Sequence, residues 1–146
     1  LNYIVQSPLN VNEFELYYDL RYRVLRAPWN QARGSEQDAS EKSSIHAMIT
    51  DGELCIACGR LQKTENDGVG QIRFMAVDAN HQGKGLGKLI VQYLEARAKE
   101  EAMGEIILQA RENAVEFYKS LGYELVEPTF KLFGEIQHYL MRKQLH

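Results

Sequence analysis

The sequence predicts a mixed α/β fold: one central, mostly antiparallel sheet flanked by helices. Three observations carry this. The spacing of apolar residues switches between strand and helix periods in the order β-α-β-β-β-α-β-α-β-β. Two hairpin signals, Asp51-Gly52 and Asn66-Asp67-Gly68, join successive strand-like runs. The glycine-rich run Gln82-Gly83-Lys84-Gly85-Leu86-Gly87 separates the strand-like Ile72-Arg73-Phe74-Met75-Ala76-Val77 from a strong helical pattern.

Taken in order, residues 2–5 read as a short first strand. From Val11 to Arg26, the residues Phe14, Tyr17, Val24 and Leu25 mark an amphipathic helix that ends before Pro28. Residues 27–44 are polar and aperiodic, and a connection this long is seldom kept without a use. Strands are predicted over 45–50, 53–62 and 69–78. After the glycines, Leu86, Leu89, Ile90, Tyr93, Leu94 and Arg97 follow helical spacing, with the helix ending near Met103-Gly104. Ile106-Ile107-Leu108 forms a short buried strand. Asn113 is placed to cap a helix from Ala114 to Leu121, with Gly122 just past its end. Strands near 123–126 and 134–142 close the chain. No repeat, low-complexity tract or domain boundary interrupts residues 1–146, which read as a single domain.

Composition narrows the function. The chain has 146 residues and a formal charge of −3, with no basic face for nucleic acid. No apolar run reaches the ~18 residues of a membrane span. The first ten residues lack the basic start and apolar core of a signal peptide, so a cytoplasmic protein is expected. Cys55 and Cys58 have C-x-x-C spacing, but they lie in a strand-like run, where residues three apart face opposite sides. They read as small buried residues in a reducing compartment, and no metal is expected.

The glycine run is an anion pocket by its physics. Glycines let backbone N–H groups approach a ligand and tolerate positive φ. A helix start adds unpaired donors and the positive dipole end, and Lys84 and Lys88 add charge. Two common phosphate loops fail on spacing. Gly83 is followed by three residues before Gly87-Lys88-Leu89, one short of a P-loop and without its hydroxyl. The dinucleotide fingerprint needs G-x-G-x-x-G, and this run is G-x-G-x-G.

Two motifs together resemble one family. Gln82, Gly85 and Gly87 fit the pattern Gln/Arg-x-x-Gly-x-Gly/Ala. Asn113, Ala114, Phe117, Tyr118, Gly122 and Tyr123 fit Asn-Ala-x-x-Phe-Tyr-x-x-x-Gly-Phe/Tyr. Both are similar to motifs of the GNAT superfamily of acyl-CoA-dependent N-acetyltransferases, and the element order matches as well. A narrower resemblance, to the acetyltransferase half of bacterial proteins fused to a hot-dog thioesterase, rests on Leu25-Arg26-Ala27-Pro28, Gly34-Ser35-Glu36-Gln37-Asp38, Arg73-Phe74-Met75-Ala76-Val77 and Ile136-Gln137-His138.

The resemblance implies acetyl-CoA as cosubstrate and an amine of a small molecule or protein as acceptor, with a homodimer common in the family. It implies that N–H groups of Gly83, Lys84, Gly85, Leu86, Gly87 and Lys88 hold the pyrophosphate, with Gln82 shaping the start of the loop. The strand 71–77 should splay from its neighbour, so that the pantetheine arm pairs with the backbone of Met75, Ala76 and Val77. Asn113, Ala114, Phe117 and Lys119 also fall on the cofactor side. Tyr118 takes the general-acid position and the Met75 N–H the oxyanion position.

Where some members carry a Glu base, this chain has Gln71, which accepts no proton at neutral pH. That leaves a water chain, an amine that arrives neutral, or a histidine, for which His138 and His46 are the candidates. The acceptor should enter between residues 27–44 and the last hairpin, near Trp29, Arg33, His46 and Arg73. Glu36, Asp38 and Glu41 could attract a cationic acceptor there. Alternatives are a non-catalytic CoA-sensing module, motivated by Gln71, or transfer to a carrier-protein or fatty-acid-related acceptor.

Overall fold

The computed structural model describes residues 2–146. Its elements are α1 (Val11–Leu25), β1 (Ile45–Thr50), β2 (Cys55–Lys63), β3 (Val69–Val77), α2 (Leu86–Glu100), β4 (Glu105–Arg111), α3 (Val115–Ser120), β5 (Glu124–Leu132) and β6 (Ile136–Gln144). The six strands form one sheet in the order β1-β2-β3-β4-β6-β5. Every pairing is antiparallel except β3 with β4. The predicted architecture is therefore the observed one.

Helices cover both faces. On one, Tyr17, Leu20 and Leu25 of α1 pack on Met48, Cys55, Cys58 and Ala76. On the other, Leu86, Ile90, Val91, Leu94 and Ala98 of α2 form a single stripe against Ala47, Ile49, Ile56 and Ala57. Burying each large side chain of that stripe stabilises the fold by about 1.5–3 kcal/mol. The approach of α2 depends on Gly59: a Cβ there would lie 2.6 Å from Met75 Sδ and 2.7 Å from Ile90 Cγ2.

The helix ends follow local rules. Asn10 caps α1, its side chain accepting from the Glu13 N–H, while a Glu13 carboxylate oxygen accepts from the Leu9 N–H. The chain then turns into a short 3-10 segment, Ala27–Trp29, with Pro28 near its start. α2 stops at Glu100, a few residues before the predicted end, because Ala102 adopts φ 60 and the Met103 N–H returns to the Ala98 carbonyl.

Four expectations are corrected. Residues 2–5 form no strand. The N-terminal segment makes a single antiparallel bridge, Gln6 to Met48, which is too little pairing to define one. Asn113 does not cap α3. It lies inside a 3-10 turn, Glu112–Ala114, and the helix begins from Ala114 without a side-chain cap. β5 is longer than the alternation showed, because it is an exposed edge carrying Pro128 and two register shifts, and β6 keeps its expected length but lies two residues further on. Cys55 and Cys58 share a face. The register shift opposite Ile49/Thr50 puts Ile56 and Ala57 on the same side and resets the alternation. Both thiols are free and buried, and burial pushes that of Cys58 up to about 12.

Candidate active site

The sheet opens where β3 leaves β4. Their parallel pairing runs from Val69 opposite Glu105 to Ile72 opposite Leu108 and then stops, though both strands continue. Beyond that point β4 stays paired with β6 as far as Arg111 opposite His138. The β4-facing edge of Arg73–Val77 is left without a strand partner. The Asp78 N–H donates to Ile56 on the β2 side, 2.8 Å away. Successive N–H groups alternate between strand edges, so those of Val77 and Met75 face the open side.

The opening begins at Phe74, which has φ 56, a left-handed conformation that costs a non-glycine residue about 1–3 kcal/mol. The β2–β3 register shifts there, with Gly59 of β2 opposite both Phe74 and Met75, so the bulge lies on β3. The Phe74 ring is held among cations: Arg21 Cζ lies 4.4 Å, Arg60 Cζ 4.7 Å, Arg73 Cζ 5.1 Å and Arg26 Cζ 5.6 Å from its centroid. Arg21 and Arg60 are wholly buried. Arg60 spans both Asp38 oxygens at 2.8 and 3.0 Å, and Glu41 receives 2.8 Å bonds from both arginines. Hydrogen bonding from Arg60 lowers the Asp38 carboxyl to about 2.

This network answers the question of the acidic residues in 27–44. Asp38 and Glu41 neutralise internal arginines, and Glu36 binds the Gly34 N–H and Gln37. These carboxylates therefore serve contacts within the protein. His46 belongs to the same network. Its Nε2 donates to the Glu41 carbonyl and its Nδ1 accepts from Tyr17, both at 2.7 Å. Burial holds its pKa below the ordinary imidazole value, and it lines no cavity described here. Arg33 stacks on Tyr22 and pairs with Asp19 on the outer side of α1, also away from the cavities. Trp29 lies against Phe133 of the β5–β6 turn, ring centroids 6.3 Å apart, and supports Arg111, whose Cζ is 5.0 Å from the indole.

Two cavities occupy the opening. The larger, about 570 Å³, is bounded by the glycine loop, the β3 edge from Met75 to Val77, and the turn and helix bearing Asn113, Ala114 and Phe117. Gly83 and Gly85 both have φ 77, a left-handed conformation suited to glycine. The N–H groups of Gly83, Lys84 and Gly85 have no acceptor among the described residues. Those of Leu86, Gly87 and Lys88 open α2, where no intrahelical partner exists. Gln82 donates from Nε2 to the Val77 carbonyl at 2.9 Å and ties the loop to the strand end. Gly87 packs on Phe117; a Cβ would lie 3.1 Å from its Cζ. Lys88 lines the cavity, whereas Lys84 and Lys119 are exposed outside its wall.

The smaller cavity, about 300 Å³, lies between the diverging strands and the last hairpin. Gln71, Arg73, Gln109 and His138 reach it, as do Phe130 and Leu132. His138 stacks on Phe130, ring centroids 4.5 Å apart. Its Nδ1 is 2.8 Å from the Ile136 carbonyl, so Nδ1 carries the hydrogen and Nε2 the lone pair. Burial, with a smaller effect from Arg111, lowers its pKa. The cavities meet at Leu25, Met75, Arg111, Ala114 and Tyr118, which line both. Burial raises the Tyr118 phenol well above its ordinary value, and its hydroxyl makes no hydrogen bond within the described residues. No Asp or Glu lines either cavity.

The sequence reading missed Arg26, Arg111 and the buried pair Arg21 and Arg60. Arg111 had a signal, standing at the end of β4 just before the Asn113 motif. The buried arginines had none, because their carboxylates lie far along the chain.

An open sheet edge above a glycine-led helix start makes a site for an anionic, extended ligand, and sequence comparison says which family builds it. Residues 14–123 match the acetyltransferase (GNAT) family, to which this chain belongs. The uncharacterised N-acetyltransferase YjcF of Bacillus subtilis is 30% identical over 134 residues, covering 92% of this chain and 94% of that protein. Escherichia coli ElaA superimposes with a TM-score of 0.83 at 18% identity, covering 97% of this chain and 99% of ElaA. An aminoglycoside 6'-N-acetyltransferase solved with coenzyme A does so with a TM-score of 0.81 at 16% identity, over 97% of this chain and 96% of that one.

Proposed function

We propose that the chain transfers an acetyl group from acetyl-CoA directly to an amine. The observation that carries this is the meeting of the two cavities at Met75 and Tyr118. One cavity has the donors a pyrophosphate needs, and the other has room for a small acceptor. The coenzyme A in the aminoglycoside enzyme's structure supports the same ligand here.

In this reading the glycine-loop N–H groups and Lys88 hold the pyrophosphate, and the open β3 edge receives the pantetheine amides. The acceptor nitrogen attacks the thioester carbon as the C–S bond breaks. The Met75 N–H donates to the oxygen where charge develops. Tyr118, kept protonated by burial, delivers its proton to the departing thiolate. With no carboxylate on either cavity, His138 Nε2 takes the amine proton. The buried, free cysteines fit a reducing cytoplasm.

The test is thiol release from acetyl-CoA across amines, amino acids, polyamines and acyl carrier protein, beside calorimetric acetyl-CoA binding. Release with an amine is expected. Tight binding without release to any acceptor would instead identify a CoA-sensing module. The base is tested by pH. In wild type, kcat/KM should fall as pH drops through a midpoint below the ordinary imidazole value. His138→Gln should remove that limb and cost about 10²-fold or more in rate. An unchanged limb in the variant excludes His138.

A further inference from the structure

We infer that the acceptor is a small amine that also carries a carboxylate, bound by Arg26, Arg73 and Arg111. This rests on the smaller cavity being the acceptor pocket, and three observations support it.

First, three elements bring arginines to the wall of one cavity of about 300 Å³: Arg26 at the end of α1, Arg73 on β3 and Arg111 on β4. No carboxylate accompanies them in its wall. Second, their donors are under-used. The Arg111 side chain makes no hydrogen bond within the described residues and lies against Trp29. Arg26 binds two backbone carbonyls, of Ser35 and Leu25, through Nε and Nη1, leaving Nη2 without a partner among the described residues. Arg73 has only a long 3.5 Å contact to Asp38, whose oxygens Arg60 already spans. Third, carboxylates offset the charge of the group only in part: Glu36 acts on Arg26, and Asp38 and Glu41 on Arg73. Burial lowers the pKa of each, and a neighbouring arginine adds to the effect: Arg73 on Arg26, Arg60 on Arg73, and Arg26 on Arg111. An anion would relieve that repulsion, and the guanidinium fork fits a carboxylate by paired hydrogen bonds.

The volume suits one amino acid rather than a large substrate. Phe130 and Leu132 offer an apolar wall for its carbon skeleton. A polyamine would bring further positive charge against three arginines and is disfavoured.

The experiment compares leucine with leucinamide, phosphoethanolamine and spermidine as acceptors, and measures binding of N-acetylleucine to the CoA-loaded protein. Leucine should be turned over and leucinamide poorly. Arg73→Gln, at a half-exposed position, and Arg111→Gln should each weaken N-acetylleucine binding and raise KM for leucine roughly 10- to 100-fold. Acetyl-CoA affinity should hold in Arg73→Gln, and Arg73→Lys should restore part of the loss. Preference for phosphoethanolamine over leucine, or turnover of leucinamide or spermidine at least equal to leucine, overturns the carboxylate assignment while leaving the transferase standing. If no acceptor is turned over but N-acetylleucine binds through Arg73 and Arg111, the anion site stands and the transferase reading fails. Absence of N-acetylleucine binding together with no leucine turnover overturns the inference.

Discussion

Tyr118→Phe is expected to lower kcat for thiol release by about 10²- to 10⁴-fold. Acetyl-CoA affinity and thermal stability should change little. The separation follows from what the side chain touches. Its ring packs edge-on against Phe117 and Tyr123, with centroids 4.9 and 5.9 Å away, and phenylalanine keeps both contacts. Its hydroxyl has no partner within the described residues, so removing it orphans no buried group. Only a reaction that needs a proton at that point would register the loss. Calorimetry for affinity, thermal melting for stability and steady-state thiol release for rate give three independent readings. A thioester with a more acidic thiol leaving group should narrow the gap between variant and wild type, because a better leaving group needs less protonation. Unchanged kcat removes Tyr118 as the acid, and a drop matched by lost affinity would make it a packing residue.

What the sequence revealed depended on whether the signal was local. Glycines needing φ near 77, a strand feeding them and a helix following are all legible within one short run, because positive φ and helix starts are properties of neighbouring residues. The alternation of periods gave the strand order along the chain. The same alternation failed wherever a bulge intervened, as at Cys55–Cys58, since one extra residue reverses every side chain beyond it. It failed too at residues 2–5, where apolar spacing says nothing about which edge is free to pair. The acceptor side was least legible. Glu36, Asp38 and Glu41 stand in one polar loop, but their partners Arg21 and Arg60 arrive from a helix and a strand. Arg26, Arg73 and Arg111 converge only because β3 parts from β4, a tertiary event. Trp29 and Arg33 were drawn to the site by proximity in sequence to a long loop; the fold turns Arg33 outward and uses Trp29 to brace Arg111.

The second large effect concerns the buried arginine that supports the bulge. Arg60→Met should destabilise the protein by about 3 kcal/mol, or roughly 10 °C in Tm. Arg60 is fully buried and binds both Asp38 oxygens and one of Glu41. Methionine fills part of the volume but takes from Asp38 its paired cation and from Glu41 one of two. Two features keep the effect near the lower end for a broken buried pair: Asp38 is one-third exposed, and Glu41 retains Arg21. Losing Arg60 also removes one of the cations around the Phe74 ring, where the backbone is strained. With that ring less constrained, the Met75 N–H next to it loses its fixed direction. A drop in kcat should therefore appear well below the melting temperature, where the variant is still folded. Arg60→Lys tests the geometry: a lysine restores charge but cannot span both Asp38 oxygens, so it should recover part of the stability and little of the rate. Urea denaturation and thiol release on the same samples separate the two effects. A stability loss below about 1 kcal/mol, the range of an ordinary surface pair, would show that the network does not support the fold. Full activity in a destabilised Arg60→Met would show that Phe74 keeps its conformation without it.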